Sequence, residues 1–260
     1  MVRKEVKELA KEYDLLAEKY DETIHSDLSA EMRNRIIFST LDEFINRKPS
    51  KILDAGGGTG FYSIPLALKG HEITVLDVSE KMLQKTHESA RTHGVSEKVK
   101  TIQGSMDCLK FPDSCFGVVL CHLAFGYAKP CQTLSEFYRV LEDGGILSLT
   151  VANKYFYSIK ESLKGNFLKV EEILDAAHLF EAPRGIPKIR TFTKSEIVSL
   201  CSEANFEVLR VKGIKVITDY LPEITHDTEI LKRLEEKMSD IEDLSSLARH
   251  IYLICRKPLH

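Results

Sequence analysis

A cluster of glycines directly follows a short apolar run in the segment KILDAGGGTG, residues 51–60. The apolar run ends at the acid Asp54, glycines occupy positions 56, 58 and 60, and a periodic apolar segment follows over 61–68. This pattern predicts a buried strand, a tight turn and the start of a helix. Glycine permits positive φ and a close approach of the backbone to a ligand, and a helix N-terminus adds partial positive charge. The stretch therefore predicts a nucleotide or nucleoside pocket at the carboxyl edge of a parallel strand.

A second acidic residue stands where a ribose ligand is expected. The apolar run 73–76 ends at Asp77, about 20 residues beyond the turn, which is the distance typical of a ribose-binding acid. The spacing of the glycines excludes two other classes of nucleotide-binding motif. The dinucleotide fingerprint G-x-G-x-x-G needs a glycine where Phe61 or Ser63 stands, and no Gly-Lys pair completes a phosphate loop.

Asp54, the alternate glycines and Asp77 together resemble the first motifs of class I S-adenosylmethionine-dependent methyltransferases. The resemblance implies a Rossmann-like domain that binds S-adenosylmethionine and releases S-adenosylhomocysteine. It also implies that Asp54 and the glycines hold the methionine half of the cofactor, and that Asp77 holds the ribose hydroxyls. The cofactor-binding residues expected on this basis are Tyr20, Arg33, Asp54, Gly56, Gly57, Gly58, Asp77, Val78, Met82, Ser105, Met106 and His122.

The adenine is expected next to Ser105 and Met106, just past the third predicted strand (99–104). The family often carries Gly-Asp here, whereas this chain has Gly104 and Ser105. The carboxylate that usually meets the adenine amino group is therefore either absent or supplied by Asp107.

His122 follows the fourth predicted strand (116–121), at the edge where ligands bind in open α/β sheets. It is the one well-placed candidate for a general base, which a hydroxyl or amine acceptor requires and a carboxylate acceptor does not. The alternative is a histidine that caps a strand end through one hydrogen bond. Cys115, Cys121 and His122 do not match the spacing of metal ligands, so no metal is predicted.

The elements that position these residues alternate between strands and helices. This alternation predicts an α/β fold with a doubly wound, mostly parallel, Rossmann-like sheet of seven strands, the last an antiparallel neighbour. A helical lid is predicted over 1–47, and an inserted lid segment without strand-like runs over 152–192, after the fifth strand. The whole chain, 1–260, is interpreted as a single methyltransferase domain. Within the lid, Arg33 and Arg35 stand two residues apart on one helix, so they are expected on different faces.

Composition limits the classes of function. The chain has 260 residues and a net charge of −3, which suits one domain with an elaboration and argues against binding nucleic acid over the whole surface. The apolar runs are too short to cross a membrane, and the charged N-terminus does not resemble a signal peptide. Six cysteines without a C-x-x-C pair predict reduced thiols. We expect a cytoplasmic protein that is a monomer or a homodimer.

Several short phrases resemble the bacterial tRNA methyltransferases that esterify 5-carboxymethoxyuridine at the wobble position. The resemblance implies that Arg33 and His122 contact the cofactor. That family has a dense lysine run in the insertion, for which this chain has Arg184, Lys188, Arg190 and Lys194. These four residues predict either phosphate contacts with RNA or an ordinary solvated loop. The phrases are DAGGG (54–58), LSL (147–149), GNF (165–167), DYL (219–221), RKP (256–258) and MRxxI (32–36).

The sequence thus predicts an S-adenosylmethionine-dependent methyltransferase. Its acceptor is an oxygen or nitrogen nucleophile of either a small metabolite or a tRNA wobble nucleotide, and the sequence leaves both open. The alternative function is a catalytically silent, cofactor-binding partner subunit.

Overall fold

Seven strands form one sheet in a computed structural model of the chain, which describes residues 4–25, 27–45, 50–175, 179–180, 187–221 and 227–259. The strand order in this sheet is β3-β2-β1-β4-β5-β9-β8, and a separate pair is formed by β6 and β7. Every neighbouring pair in the large sheet is parallel except those of β9, which runs antiparallel to both β5 and β8. The predicted seven-stranded, mostly parallel sheet with an antiparallel last strand is confirmed. The strands are β1 (Lys51–Ala55), β2 (Glu72–Asp77), β3 (Val99–Gln103), β4 (Phe116–His122), β5 (Leu141–Ala152), β6 (Leu179–Phe180), β7 (Ile189–Arg190), β8 (Glu207–Ile214) and β9 (His250–Arg256).

The direction of winding reverses between β1 and β4. The chain runs outward from β1 through β2 to β3 and then returns to place β4 on the other side of β1. In open α/β sheets, ligands bind at such a reversal, outside the carboxyl ends of the strands. The glycine turn follows β1 at this point.

Helices cover both faces of the sheet because the central strands are apolar on both sides. Leu53 and Ala55 of β1 pack with helices α6 and α9 on one face, and the alternate residue Ile52 packs with α3, α4 and α5 on the other. The helices are α1 (Lys4–Leu16), α2 (Tyr20–Ile24), α3 (Leu28–Phe44), α4 (Ser63–Leu68), α5 (Glu80–Thr92), α6 (Pro130–Val140), α7 (Lys154–Leu163), α8 (Phe167–Asp175), α9 (Lys194–Glu203) and α10 (Thr228–Ser239).

Two helix starts follow directly from local sequence. Ser79 caps α5, because its hydroxyl accepts a hydrogen bond of 3.1 Å from the backbone N–H of Met82. Thr193 and Glu196 form a capping box at the start of α9, in which the Glu196 carboxylate accepts from the Thr193 N–H at 2.7 Å. Both caps have local sequence signals, a serine just before a helical run and a T-x-x-E pattern.

The N-terminal part of the predicted helical lid is not one continuous helix. It consists of α1, a 3-10 turn at Ala17–Lys19, and α2. Two acidic residues of this segment form hydrogen bonds to the loops at the carboxyl edge of the sheet. Asp14 accepts from the Ser79 hydroxyl at 2.6 Å, and Asp21 accepts from the Thr59 hydroxyl at 2.6 Å. The predicted lid function of 1–47 stays a prediction.

The insertion after β5 contains more regular structure than the sequence predicted. It holds α7, α8 and the two-residue strands β6 and β7, which pair antiparallel. The expectation of no strand in 152–192 was wrong, because two-residue strands are too short to show a period of two. The part near β7 contacts the strand ends: the Tyr127 hydroxyl donates to the Pro187 carbonyl at 3.2 Å. Its predicted function as a lid segment stays a prediction.

None of the helices that the structure describes is long and apolar enough to cross a bilayer.

Candidate active site

A pocket opens at the carboxyl edge of β1 to β4, with α1 as its cover. Most of the sequence-predicted cofactor residues line it, namely Tyr20, Gly56, Gly58, Asp77, Val78, Met82, Ser105, Met106 and His122. The other lining residues are Val6, Leu9, Tyr13, Leu76, Gly104, Asp107, Leu123, Ala124, Tyr127 and Ala128.

The glycine turn exposes its backbone to this pocket. Gly56 has a φ of +76° and Gly58 a φ of +57°, a conformation that side chains disfavour. A Cβ on Gly56 would also lie 2.4 Å from the Cβ of Ala124. Backbone conformation and packing therefore both require glycine at position 56.

Asp77 joins the turn to helix α5. One carboxylate oxygen accepts from the Gly58 N–H at 3.0 Å and the other accepts from the Ser79 N–H at 2.9 Å. Burial raises the pKa of Asp77 to about 6, although the backbone hydrogen bonds from Ser79 and Gly58 act to lower it. The side chain is thus mostly ionised at neutral pH, and a carboxylate in this state accepts hydrogen bonds.

Asp54 and Gly57 lie beneath the turn and do not line the pocket. Asp54 is 1% exposed and accepts from the Ser63 hydroxyl at 2.7 Å. A Cβ on Gly57 would lie 2.7 Å from the carboxyl carbon of Asp54. The structure therefore places Asp54 where it supports the turn from below, and burial raises its pKa to about 6.

His122 forms the inner wall of the pocket between two tyrosines. Its Nε2 lies 3.3 Å from the Ser148 hydroxyl, while no described residue bonds its buried Nδ1. The ring lies 4.7 Å from that of Tyr62 and 5.8 Å from that of Tyr252. Burial and the charge of Arg33 lower the pKa of His122 to about 3. The imidazole is therefore neutral at physiological pH and is a weak base.

Arg33 lies behind this wall and does not line the pocket itself. It is 3% exposed, and it donates to the Ile24 carbonyl at 3.1 Å and to the Asn34 side-chain oxygen at 3.1 Å. It forms no ion pair with any residue that the structure describes. Arg35 instead lies on the surface and pairs with Glu236, so the two arginines do face different sides.

A group of charged residues from distant parts of the chain surrounds Arg33. Lys215 is buried, and its Nζ lies 3.9 Å from Asp219. Asp219 also pairs with Arg249, whose buried Nε has no partner among the described residues. Burial would raise the pKa of Asp219, but the charges of Arg249 and Lys215 lower it. Burial lowers the pKa of Lys215 to about 8, and Asp27 is the other acid whose charge reaches it. Within the described part of the chain, three cations thus face two carboxylates.

Sequence reasoning missed part of the pocket wall that follows β4. Leu123, Ala124 and Tyr127 line the pocket, and they follow His122 at the same strand end. The edge rule that identified His122 also applies to them, but their apolar and aromatic types do not mark a site. The ring of Tyr127 lies 5.7 Å from that of Tyr13, which also lines the pocket.

Two of the predicted basic residues flank Ile189, which packs against Gly126 beside the lining residue Tyr127 and so borders the pocket rim. Lys188 is exposed and Arg190 is half-buried, next to the Tyr127 side of the pocket. Lys194 pairs with Glu242 at 3.3 Å, and Arg184 lies outside the described residues. The structure brings together no group of metal-ligating side chains within the ranges that it describes.

The pocket fits the chemical parts of S-adenosylmethionine. Asp77 supplies an acceptor for the ribose, and Leu76, Val78 and Met106 provide apolar walls for a base. Gly56 and Gly58 bring the backbone close to the ligand at the end of β1. Pockets of this kind are mostly apolar, with a few placed polar groups.

Replacing Gly56 by alanine is expected to weaken binding of S-adenosylhomocysteine at least tenfold. The new Cβ would clash with Ala124, in addition to the cost of about 1–2 kcal/mol for a left-handed residue. Gly94→Ala is the matched control, because Gly94 has a φ of +68° with nothing within 4 Å of an added Cβ. Titration calorimetry should give an unchanged Kd for Gly94→Ala. Equal effects of the two substitutions would contradict the assigned clash.

Comparison with known proteins agrees with this geometry. A protein family described as a methyltransferase domain matches residues 52–145. A tRNA 5-carboxymethoxyuridine methyltransferase of Escherichia coli is 28% identical, covering 95% of this chain and 96% of that protein. A ubiquinone/menaquinone biosynthesis C-methyltransferase of Bradyrhizobium is 32% identical, covering 53% of this chain and 54% of that protein.

A solved structure shares the fold. It is an S-adenosylmethionine-dependent methyltransferase of Methanosarcina mazei, with a TM-score of 0.62 and 21% identity, covering 85% of this chain and 98% of that one. The matched domain includes the glycine turn, Asp77 and His122, which the structure gathers at one sheet edge. The chain therefore contains a methyltransferase domain over residues 52–145, and these similarities mark it as an S-adenosylmethionine-dependent methyltransferase.

Proposed function

We propose that this methyltransferase esterifies a carboxylate carried by a tRNA wobble nucleotide. The proposal rests above all on the state of His122, which is neutral and has a pKa of about 3. A base of that strength takes a proton from a hydroxyl or an ammonium acceptor poorly. A carboxylate is ionised at neutral pH without help, so it suits this pocket.

The charges behind the wall favour an anionic acceptor as well. Among the residues that the structure describes, Arg33, Lys215 and Arg249 outnumber their acidic partners Asp27 and Asp219 by one positive charge. The influence of Arg33 reaches the pocket wall, because its charge lowers the pKa of His122 and opposes the rise in the pKa of Tyr20. A buried excess of charge is costly until a counter-ion arrives, so a single carboxylate would be stabilised here.

The tRNA part of the proposal is supported by the Escherichia coli relative, whose similarity spans 95% of this chain. The pocket rim adds a physical reason. Gly126 has no room for a Cβ, because Ile189 of β7 would lie 2.3 Å from it. This close contact keeps Lys188 and Arg190 beside the opening, where they can meet the phosphates of an RNA loop.

The proposed reaction needs no proton transfer. Bound S-adenosylmethionine supplies a methyl group on a sulfonium, and the new C–O bond forms as the S–CH3 bond breaks, with the electron pair passing to sulfur. The chain's own contribution is to hold the carboxylate in line with that bond at about 3 Å. The glycine turn and Asp77 fix one reactant, and the charges behind His122 attract the other.

The decisive experiment follows a labelled methyl group into total tRNA or into a small-molecule extract. We expect label in tRNA, and we expect mild alkali to release it as methanol, because methyl esters hydrolyse under conditions that spare methyl ethers and amines. Alkali-stable label would overturn the carboxylate assignment. Label confined to small molecules would show that the methyl acceptor is a metabolite and not tRNA. Cofactor binding without turnover on either substrate would favour a silent partner subunit.

Arg190→Glu is expected to lower kcat/KM for tRNA about tenfold and to reduce its dependence on salt concentration, because one phosphate contact becomes a repulsion. The Kd for S-adenosylhomocysteine should not change. Arg91→Glu is the charge-matched control, because Arg91 is exposed in the last turn of α5, at the opposite edge of the sheet. Equal loss in both variants would show that overall charge, rather than the rim, governs the effect.

A further inference from the structure

An exposed apolar surface that has no role in the proposed reaction runs along one side of the molecule, from α8 to α10. Of the fourteen large apolar side chains that are exposed among the described residues, nine lie between residues 163 and 247. Soluble monomers rarely expose contiguous apolar patches larger than a few hundred Å². We infer that this side of the molecule binds a second copy of the chain in a two-fold symmetric homodimer. The α8–α10 surface is defined here by Phe167, Leu168, Leu221, Ile230, Leu234 and Leu247.

The elements that carry these side chains contact one another in series. Helix α8 packs against α7, and the Phe156 ring of α7 lies 5.3 Å from the ring of Tyr220. The Tyr220 hydroxyl donates to the Leu247 carbonyl at 2.7 Å. Leu247 directly follows the 3-10 helix Glu242–Ser246, which packs against α10. The exposed side chains of Leu221 and Leu247 therefore lie between the two helices and join their outer faces into one surface.

The helices at the two ends of this surface are apolar on their outer faces as well as on their inner ones. On α8, Ile173 is buried, whereas Phe167 is 68% exposed. On α10, Leu231 is buried, whereas Ile230 and Leu234 are exposed. A helix on the surface of a monomer usually turns its apolar face to the core and a polar face to solvent. Apolar residues on both outer faces therefore indicate that a partner covers them.

The exposed charges of the two helices have opposite signs. Glu171 and Glu172 of α8 make one end of the surface acidic, and Arg233 and Lys237 of α10 make the other end basic. All four side chains are exposed, and none forms an ion pair with a residue that the structure describes. Each end of the surface is thus ready to pair with the other end of an identical surface.

Two-fold symmetry brings these complementary ends together. In an isologous interface the same patch is used by both protomers, so a contact between two elements occurs twice. With the axis near Leu221 and Leu247, the acidic α8 of each protomer lies against the basic α10 of its partner. The apolar side chains then meet in the centre and the charges lie at the rim, as is usual in protein interfaces. A different protein with charge of one sign would match one end, whereas a second copy matches both.

Sedimentation velocity of the full chain over a range of concentrations tests the homodimer. We expect a dimer with a dissociation constant of about 1 µM or lower, which interfaces of standard size reach. Leu234→Glu should raise this constant at least about tenfold, because it places a charge among apolar side chains. Leu68→Glu is the matched control, because Leu68 is 57% exposed at the end of α4, outside the α8–α10 surface. This control should dimerise like the wild type.

Charge reversal tests the pairing of α8 with the partner's α10. The double variant Glu171→Lys, Glu172→Lys makes both ends of the surface basic, and the double variant Arg233→Glu, Lys237→Glu makes both ends acidic. Each variant alone should be monomeric, because like charges then face each other across both contacts. An equimolar mixture of the two should form a heterodimer, in which every basic end meets an acidic one. All four positions are exposed, so the fold should tolerate the substitutions.

Three results would overturn the inference. A wild type that is still monomeric at about 100 µM would exclude the homodimer, because interfaces of standard size associate well below that concentration. A dimer that is unaffected by Leu234→Glu, or that forms from either double variant alone, would use a different surface. A mixture of the double variants without heterodimer would refute the pairing of α8 with α10. Neither tRNA nor cofactor is present in these measurements, so their outcome is independent of the methyl acceptor.

Discussion

Asp77→Ala is expected to weaken the binding of S-adenosylhomocysteine about a hundredfold. The carboxylate is placed to accept from two ribose hydroxyls, and hydrogen bonds to a charged group contribute about 1.5–3 kcal/mol each. The substitution also removes the acceptor shared by Gly58 and Ser79, so the glycine turn loses its tie to α5. Calorimetry at pH 7.5 measures the change directly.

Asp113→Ala controls for the loss of one negative charge, because Asp113 is exposed and pairs with Arg139 outside the pocket. Its Kd should equal that of the wild type. An Asp77→Ala variant that binds within twofold of the wild type would show that the ribose lies elsewhere.

The pH dependence of binding provides a second measurement on Asp77. Its pKa in the free protein is about 6, and the ionised form is the better acceptor. The Kd for S-adenosylhomocysteine should therefore rise as the pH falls through 6, and this rise should be absent in Asp77→Asn. A flat wild-type profile between pH 5 and pH 8 would count against the ionised carboxylate as the ribose ligand.

Glu235→Ala is expected to lower the free energy of unfolding by about 3–5 kcal/mol. Glu235 is fully buried on α10, and its carboxylate accepts from the backbone N–H groups of Val216, Ile217 and Thr218. Removing it leaves three N–H groups without their acceptor, and each buried unsatisfied group costs about 1–3 kcal/mol. Urea unfolding followed by circular dichroism measures the loss.

The neighbouring Glu236→Ala is the matched control, because Glu236 is half-buried and forms an ion pair at the surface with Arg35. Such pairs contribute about 0–1 kcal/mol, so its unfolding midpoint should hardly move. The turn that Glu235 stabilises lies between Lys215 and Asp219, two of the charged residues behind His122. The folded fraction of Glu235→Ala should therefore also have a lower rate of methyl transfer. Similar unfolding midpoints for the two variants would show that the hydrogen bonds to Glu235 do not stabilise the fold as proposed.

The pattern of residues along the chain determined the parts of this protein that depend on local physics. The glycines, the acid Asp77 and the strand-and-helix alternation predicted the sheet and a nucleotide or nucleoside pocket at its edge, because positive φ, helix capping and strand periodicity are properties of neighbouring residues. The resemblance of these residues to a known family then implied the cofactor. The Ser79 cap and the Thr193–Glu196 box followed from the same short-range rules.

Tertiary structure decided the features that join distant segments. The group around Arg33 brings Lys215 and Arg249 from 182 and 216 residues further along the chain, because β8 and β9 complete the sheet on the far side of β5. The low pKa of His122 likewise depends on burial and on the charge of Arg33, neither of which a strand-end position reveals. Burial, charge and the hydrogen-bond partners of a buried group depend on residues that are distant in sequence. They can therefore be determined only from the assembled fold.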